Sequence, residues 1–382
     1  MKKISTMLLA VILITSLAAQ SKESLDPEQY SWRMLQKAQT AFDQKDFGLA
    51  FKLADAAKIN RKREVDWSIS TLEQAMKPVA VQKVGDNIDA VLTILQERDS
   101  HDAVTIIESN LSNLSKEYFD HSITNLKNHI RKYSEYPEAD FLIGKIYELE
   151  GEYSLSKMFL LKAWENADLL SIPDEKYDFL YEMASLAELT GDKEEYEKSL
   201  LLIIAEDPNY LQNTSETGFS KSIVKAIKTG TDLDKFFLLY RNTSYFSMKA
   251  FFSLADFYTN EQSQSDVNLN DKILTMSSMG VVTAISRIED VIKTRKLEYT
   301  YTSFETLLTN VLLYEDIVTW GKKYDVWKGF YVFALAVFES GQTKFAENLL
   351  AILSKFSPDE YWAKASKERI FIIENSKKVL VR

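Results

Sequence analysis

Apolar residues recur at intervals of three and four positions from Asp26-Pro27 almost to the C-terminus. This period is typical of helices that bury one face. Short breaks that contain glycine, proline or aspartate, such as Lys77-Pro78 and Glu150-Gly151, separate the periodic segments. The pattern predicts about eighteen helices of roughly 10–20 residues, joined as antiparallel hairpins. The predicted fold class is therefore all-α.

Two segments interrupt this regularity. Residues 261–271 form the one long polar stretch, which predicts a mobile loop. Residues 296–304 alternate like a strand, with aromatic and β-branched side chains. Because helical patterns surround them on both sides, we interpret residues 296–304 as an extended connection or the start of a helix.

A pattern of small residue, large residue and turn glycine recurs with constant spacing. Its three clear copies are Gly144-x-x-Tyr147-x-x-x-Gly151, Ala184-x-x-Ala187-x-x-x-Gly191 and Ala334-x-x-Val337-x-x-x-Gly341, and a weaker copy starts at Ala38-x-x-Ala41. Small residues let two antiparallel helices approach closely. The glycine supplies the positive φ that ends the first helix of each pair.

This spacing resembles the tetratricopeptide repeat family. The resemblance implies a right-handed superhelical solenoid of antiparallel helical hairpins, in which the first helix of each repeat lines a concave groove that binds a protein or peptide. The positions that would face the groove are Phe141, Lys145, Tyr181, Ser185, Tyr331 and Leu335, with Leu35 and Gln39 in the weak copy. The alternative for each of these residues is internal packing. The Lys/Asn clamp that some members use for C-terminal carboxylates is absent.

The repeats divide the chain into segments. Residues 1–19 are predicted as a signal peptide, and residues 20–208 as N-terminal repeats. Between residues 208 and 323 no copy keeps the turn glycine, so we expect 209–323 to be a degenerate helical-repeat region. Residues 324–382 are predicted as a C-terminal repeat and a capping helix.

The N-terminus has the features of an export signal. Lys2 and Lys3 precede an apolar run from Met7 to Ala19, which is short for a membrane span and ends in small residues. The chain has no cysteine, which excludes a lipidated N-terminal cysteine and disulfides. We therefore predict a periplasmic protein without a lipid anchor or a stable membrane span after cleavage; the alternatives are secretion, peripheral association with the envelope, and an uncleaved N-terminal anchor.

The balance of acidic and basic residues limits the classes of molecule that the protein could bind. The chain has 46 basic and 56 acidic residues, and loss of Lys2 and Lys3 with the signal makes the mature protein still more acidic. Nucleic-acid binding requires a basic face, so this class is excluded. The predicted partner is an envelope protein or peptide.

Few residues carry the signature of catalysis or metal binding. The three histidines, His101, His121 and His129, lack metal-ligand spacing, and neither a nucleophile elbow nor a phosphate-binding loop occurs. We therefore predict no catalytic, cofactor-binding or metal site. Chance carboxylate pairs, Glu148 with Glu152 or Glu188 with Asp192, leave a glycan-processing enzyme open.

The predicted function is a non-enzymatic scaffold or adaptor of the bacterial cell envelope. Rigid stacked helices would present side chains at fixed spacing, so that little ordering entropy is lost when a partner binds. Two alternatives stay open: a small-molecule-binding accessory protein of a transport system, and the glycan-processing helical enzyme.

Overall fold

The computed structural model describes residues 27–79, 87–111, 113–114, 123–210 and 218–380; the predicted signal peptide lies outside them. Regular structure in these residues is helical, without a strand, and includes eighteen α-helices. The all-α class is therefore confirmed. The chain splits into two compact units, Met1–Glu182 and Met183–Arg382. The predicted segment boundaries at 208 and 323 both fall within the second unit.

The first unit contains seven complete helices and the start of an eighth. They are α1 Ser31–Asp43, α2 Phe47–Val79, α3 Ile88–Glu97, α4 His101–Leu111, α5 Ile123–Lys132, α6 Pro137–Leu149, α7 Tyr153–Glu165 and the beginning of α8 Lys176–Thr190. The boundary between the units falls inside α8.

The second unit contains the end of α8 and ten further helices. They are α9 Lys193–Glu206, α10 Phe219–Lys228, α11 Leu233–Leu239, α12 Met248–Gln264, α13 Asn270–Arg295, α14 Phe304–Val311, α15 Glu315–Lys323, α16 Val326–Glu339, α17 Thr343–Phe356 and α18 Glu360–Leu380.

Small residues set the spacing of the helices in the first unit. Ala38 of α1 and Ala54 of α2 are fully buried in a cluster with Ile146 of α6. On the next pair of helices, a Cβ atom placed on Gly144 would lie 2.9 Å from Leu160 Cδ2. Helices α6 and α7 therefore pack as closely as the small residue in the repeat predicts.

The second unit is built around α13, which is buried along most of its length. Phe252 of α12 lies against two glycines, Gly280 of α13 and Gly329 of α16. A Cβ atom at Gly280 or Gly329 would lie 2.5 or 2.3 Å from the Phe252 ring, which is shorter than any ordinary contact. The absence of a side chain at these two positions is therefore what makes room for the ring.

Buried polar groups also join helices in the second unit. Asn242 is 1% exposed, and its Nδ2 donates to Thr283 Oγ1 at 2.7 Å. Its Oδ1 accepts from Ser244 Oγ at 2.9 Å. The backbone N–H of Asn242 donates to Ser286 Oγ at 3.0 Å. The connection between α11 and α12 is thereby attached to α13 by satisfied hydrogen bonds.

The turn glycines of the three clear repeats have the predicted backbone conformation. Their φ values are +79° at Gly151, +73° at Gly191 and +89° at Gly341. Each lies one or two residues after the last residue of a helix and turns the chain into the next helix, as left-handed C-terminal residues do.

Some helix bounds differ from the prediction. Helix α2 has 33 residues and α13 has 26, longer than expected. Pro78 lies in the last turn of α2, and only Val79 follows it in the helix. The predicted break at Lys77-Pro78 therefore lies one residue early.

The predicted loop at 261–271 is too long. Helix α12 continues to Gln264 and α13 begins at Asn270, which leaves residues 265–269 as the connection. Gln262 explains the difference, because its side chain accepts from Leu269 N at 2.6 Å and donates to Asn270 at 2.7 Å. Polar side chains here bond to the backbone of the helix ends. Residues 296–303 connect α13 to α14 without helix or strand; they include a turn in which Tyr299 N donates to Lys296 O at 2.9 Å, and α14 starts at Phe304.

Candidate functional site

Helix α6 carries a half-buried stripe of side chains in the first unit. Phe141, Lys145 and Glu148 follow one another at i, i+4 and i+7, and therefore lie on one side of the helix. All three are partly exposed. On another side of α6, Leu142 and Ile146 are buried at 3% and 0% exposure. The buried side fixes the helix while the stripe remains accessible.

Lys145 lies between two aromatic rings. Its Nζ is 5.2 Å from the ring centroid of Phe42 and 5.4 Å from that of Phe141. An ammonium group at these distances is attracted by the negative face of each ring. Lys145 is therefore held near α1, and Phe42 joins the stripe although the sequence analysis did not select it.

Phe141 takes part in internal packing as well as in the stripe. Its ring centroid is 4.5 Å from that of Phe179 on α8, with 33° between the planes. Both alternatives stated for this residue therefore apply in part: one side of the ring packs against Phe179, and the residue keeps some exposure. Tyr181, two residues further along α8, is also half-buried.

Glu148 is the acidic residue of the stripe, and its pKa is raised. Burial raises its pKa to about 7, the carboxylate of Glu182 adds to the rise, and the charge of Lys145 opposes it. Its Oε2 atom is buried without a hydrogen-bond partner. Glu152, the acid paired with Glu148 by sequence spacing, is exposed just before α7, and the acid that acts on Glu148 is Glu182. The seven-residue spacing from Phe141 was the signal that could have placed Glu148 in the stripe.

We expect Glu148 to lose its proton near pH 7, because burial disfavours the charged carboxylate. The folded state holds this proton more tightly than the unfolded state, whose glutamate pKa is about 4.3. The stability that the neutral form provides is therefore lost as the pH rises from about 4.3 to about 7. The checks are a ¹³C NMR titration of the carboxyl group and urea unfolding of wild type and Glu148→Gln at pH 4 and pH 8.

Glu148→Gln should match wild type at pH 4 and be more stable at pH 8. The control is Glu150→Gln, at the exposed end of the same helix, which should leave the pH dependence of unfolding in place. A Glu148 carboxyl that titrates near pH 4 contradicts the burial of its charge.

Charged side chains surround the buried Asp140 at the N-terminal end of α6. Asp140 is fully buried, and its carboxylate oxygens lie 2.5 Å from Lys58 Nζ and 3.4 Å from Lys162 Nζ. Glu135 also contacts Lys162, at 2.9 Å. Burial lowers the pKa of Lys162, but the hydrogen bond to Glu135 and the charges of Asp140 and Glu135 outweigh it and raise the pKa. Ion pairs thus attach α6 to α2 and α7.

The remaining predicted groove residues lie in the second unit. Ser185 is on α8, and Tyr331 and Leu335 are one turn apart on α16; all three are half-buried. The ring of Tyr331 packs against Trp362 of α18, with 5.3 Å between centroids. The six predicted residues are therefore divided equally between the two units, and Tyr331 is partly covered by the C-terminal helix.

The second carboxylate pair, Glu188 with Asp192, and the histidines do not join the stripe. Asp192 is the N-cap of α9, and its Oδ1 accepts from Glu195 N at 3.1 Å. Glu188 is exposed. His101 is exposed, whereas His129 packs edge-on against Tyr133. His121 lies outside the described residues.

The described residues contain neither a metal-binding cluster nor a membrane-spanning helix. No group of three His, Asp or Glu side chains in this part of the chain is placed to hold a metal ion. Among the same residues, no helix combines the length and apolar character needed to cross a membrane.

Comparison with known proteins gives one informative similarity. A protein of Treponema pallidum (strain Nichols), described as an uncharacterized protein, is 24% identical over 339 residues, which cover 89% of this chain and 89% of that protein. No protein-family model matches the chain, and no solved structure matches it. The chain is thus similar to a bacterial protein over most of the length of both.

Proposed function

We propose that this protein is a non-enzymatic scaffold of a bacterial cell envelope, which binds an extended peptide or a helix of a partner protein. The stripe of Phe141, Lys145 and Glu148 on α6 carries the proposal. It places an aromatic ring, a cation and an acid on one accessible side of a helix; aromatic residues are enriched in protein interfaces, and polar groups form the rim around them.

The support of the stripe favours binding without large rearrangement. Helix α6 is fixed by its buried apolar side and by the ion pairs of Asp140 with Lys58 and Lys162. Lys145 is already placed by two aromatic rings. A surface that is ordered before the partner arrives loses little entropy on binding.

The finer architecture belongs to the same proposal. A solenoid similar to that of tetratricopeptide repeats is favoured by the repeated spacing, by the positive φ of Gly151, Gly191 and Gly341, and by the close packing at Gly144.

Export to the periplasm is proposed from the N-terminal sequence alone. Fractionation of the native bacterium with an antibody against the mature chain tests it, and recovery in the cytoplasm contradicts it.

Tyr181→Ala is expected to weaken partner binding by at least about tenfold, which corresponds to roughly 1.4 kcal/mol, while helicity stays unchanged. Tyr181 is half-buried on α8, the helix whose Glu182 acts on Glu148 of the stripe, and truncation would remove its contact area from the predicted groove. The measurement is in-cell cross-linking of the tagged mature protein, followed by binding of the recovered partner to each variant.

Tyr153→Ala is the matched control, because Tyr153 is a tyrosine of the same unit and is 41% exposed on α7. It should bind the partner like wild type. Unfolding of Tyr181→Ala would assign Tyr181 to the core and contradict the groove assignment. Failure to recover any protein partner would favour the two alternatives, which metabolite-induced thermal shifts and peptidoglycan turnover assays would then separate.

A further inference from the structure

A five-residue strap in the second unit has few contacts of its own with the helices. Residues 296–300 follow the end of α13, and four of these five described residues are exposed, Leu297 by 90%. Tyr299 is the exception, at 6% exposure. Its backbone N–H donates to Lys296 O at 2.9 Å, a bond that lies within the strap. The ring of Tyr299 is therefore the buried side chain that holds these five residues in place.

Two arginines fix the residues on either side of the strap. Before it, both terminal nitrogens of Arg295 donate to the carboxylate of Asp316, at 2.9 and 2.6 Å. After it, the guanidinium of Arg241 lies 5.1 Å from the ring centroid of Tyr301. The Tyr301 hydroxyl also donates to Asp234 at 3.4 Å. The strap can thus move between these two points while α13 and α14 stay in place.

The buried end of Tyr299 lies close to an ion pair. Glu289 of α13 is 3% exposed, and its Oε2 accepts from Arg241 Nε at 2.7 Å. Burial and then the charge of Glu289 raise the pKa of Tyr299 to about 12, whereas the charge of Arg241 lowers this pKa. Because such effects weaken with distance, the Tyr299 hydroxyl lies near both members of the pair.

The closed strap leaves two buried polar atoms unsatisfied. In the part of the chain that the structure describes, neither the Tyr299 hydroxyl nor Glu289 Oε1 has a hydrogen-bond partner. Buried polar groups are usually paired, and an unpaired one costs the free energy of its lost hydration. Lifting Tyr299 out would return both atoms to water. This gain offsets part of the apolar burial of the ring, which brings the closed and open positions closer in free energy.

We propose that residues 296–300 are a conformational strap, which opens and closes over the Arg241–Glu289 pair while the surrounding helices stay folded. Local opening of this kind is expected where few buried contacts hold a segment. Opening exposes the ion pair and the Tyr299 ring to solvent, and closing withdraws them. The strap thereby controls access to a buried charge pair of the second unit. It is independent of the stripe on α6, which belongs to the first unit.

The test is limited proteolysis of the full mature protein with trypsin, followed by mass spectrometry of the cut between Lys296 and Leu297. A protease cleaves a segment that has detached from the fold, so the rate of this cut reports opening. In wild type, cleavage after Lys296 should be at least about a hundredfold faster than after Arg287, which lies inside α13. Equal rates would mean that the strap opens only when the whole unit unfolds, and would overturn the proposal.

Two replacements of Tyr299 should change the rate of cleavage after Lys296 in opposite directions. Tyr299→Phe keeps the ring and removes the unpaired hydroxyl, so it should slow the cut about tenfold. Tyr299→Ala removes the buried ring and should speed the cut about tenfold or more. Tyr301→Phe is the matched control, because it loses the hydrogen bond to Asp234 and should not slow the cut.

Cleavage of Tyr299→Phe at the wild-type rate or faster would overturn the proposal, because the hydroxyl would then have a partner when the strap is closed. An unchanged rate in Tyr299→Ala would show that the ring does not hold the strap. The cut after Arg287 measures global unfolding in each variant. A replacement of Tyr299 that changes both cuts equally acts on the whole unit and would also overturn the proposal. These results leave the groove of α6 untouched, since it is tested through its protein partner.

Discussion

Replacing Asp140 with alanine is expected to lower the free energy of unfolding of the first unit by about 3–5 kcal/mol. Asp140 is fully buried between Lys58 and Lys162. The side chain of Lys58 is 22% exposed, so the substitution leaves a largely buried ammonium group without its counter-ion. Loss of one partner costs more than the ion pair contributes, since the remaining charges regain only part of their hydration.

Glu28→Ala is the matched control for Asp140→Ala. Glu28 also contacts two cations, Arg33 at 2.6 Å and Lys37 at 3.1 Å, but its side chain is 64% exposed. Exposed pairs contribute about 0–1 kcal/mol, so this variant should unfold close to wild type. Urea unfolding measures the total effect, and hydrogen exchange of the α6 and α7 amides reports on the first unit by itself.

A compensating pair separates charge burial from packing. Asp140→Leu combined with Lys58→Met replaces this ion pair by apolar side chains, and should recover most of the lost stability. If the double variant is no more stable than Asp140→Ala, the cost comes from altered packing and the unpaired lysine is not its cause. If Asp140→Ala lowers the free energy of unfolding as little as Glu28→Ala does, the charge cluster around Asp140 does not stabilise α6.

Replacing Phe252 with alanine is expected to destabilise the second unit by about 3–5 kcal/mol, the usual range for a buried phenylalanine. The ring is 4% exposed and fills the space above Gly280 and Gly329. Since neither glycine has side-chain atoms that could move into the void, the cavity should collapse poorly. Phe371→Ala in α18 is the control, because this phenylalanine is 66% exposed.

A double-mutant cycle tests the contact itself. Gly329→Ala in the wild type would force its Cβ against the Phe252 ring, and overpacking of this kind costs about 1–3 kcal/mol. In the Phe252→Ala background the same methyl group should be accommodated, so the two effects should not add. Additive losses in urea unfolding would show that Phe252 and Gly329 act independently.

The sequence predicted the parts of the fold that depend on local pattern. Helical periodicity identified the all-α class, and the glycine of each clear repeat predicted the positive φ of Gly151, Gly191 and Gly341. The length of the loop predicted at 261–271 was overestimated, because the polar residues were interpreted as a loop although many of them lie in helices. Gln262 instead uses its side chain to accept from the backbone N–H of Leu269, seven residues further along and just before α13, a contact that composition does not contain.

The candidate site also depends on contacts between helices that the sequence pattern did not predict. The repeat spacing selected Phe141 and Lys145, but Phe42 and Glu182 join them from other helices, and their proximity depends on packing between helices. The pairing of Glu148 with Glu152 followed closeness in sequence, whereas the pKa of Glu148 responds to Glu182. No local pattern connects residues more than thirty positions apart.

The burial of Asn242 limits the choice of expression host. Asn242-Thr243-Ser244 is a consensus acceptor for N-linked glycosylation, yet Nδ2 of Asn242, the atom that would carry the sugar, donates to Thr283 inside the second unit. An oligosaccharide added during passage through a eukaryotic secretory pathway would have no room there and would block docking of this segment on α13. Glycosylation in such a host would therefore prevent the second unit from folding, whereas in a bacterial host without this modification the Asn242 side chain can enter the core.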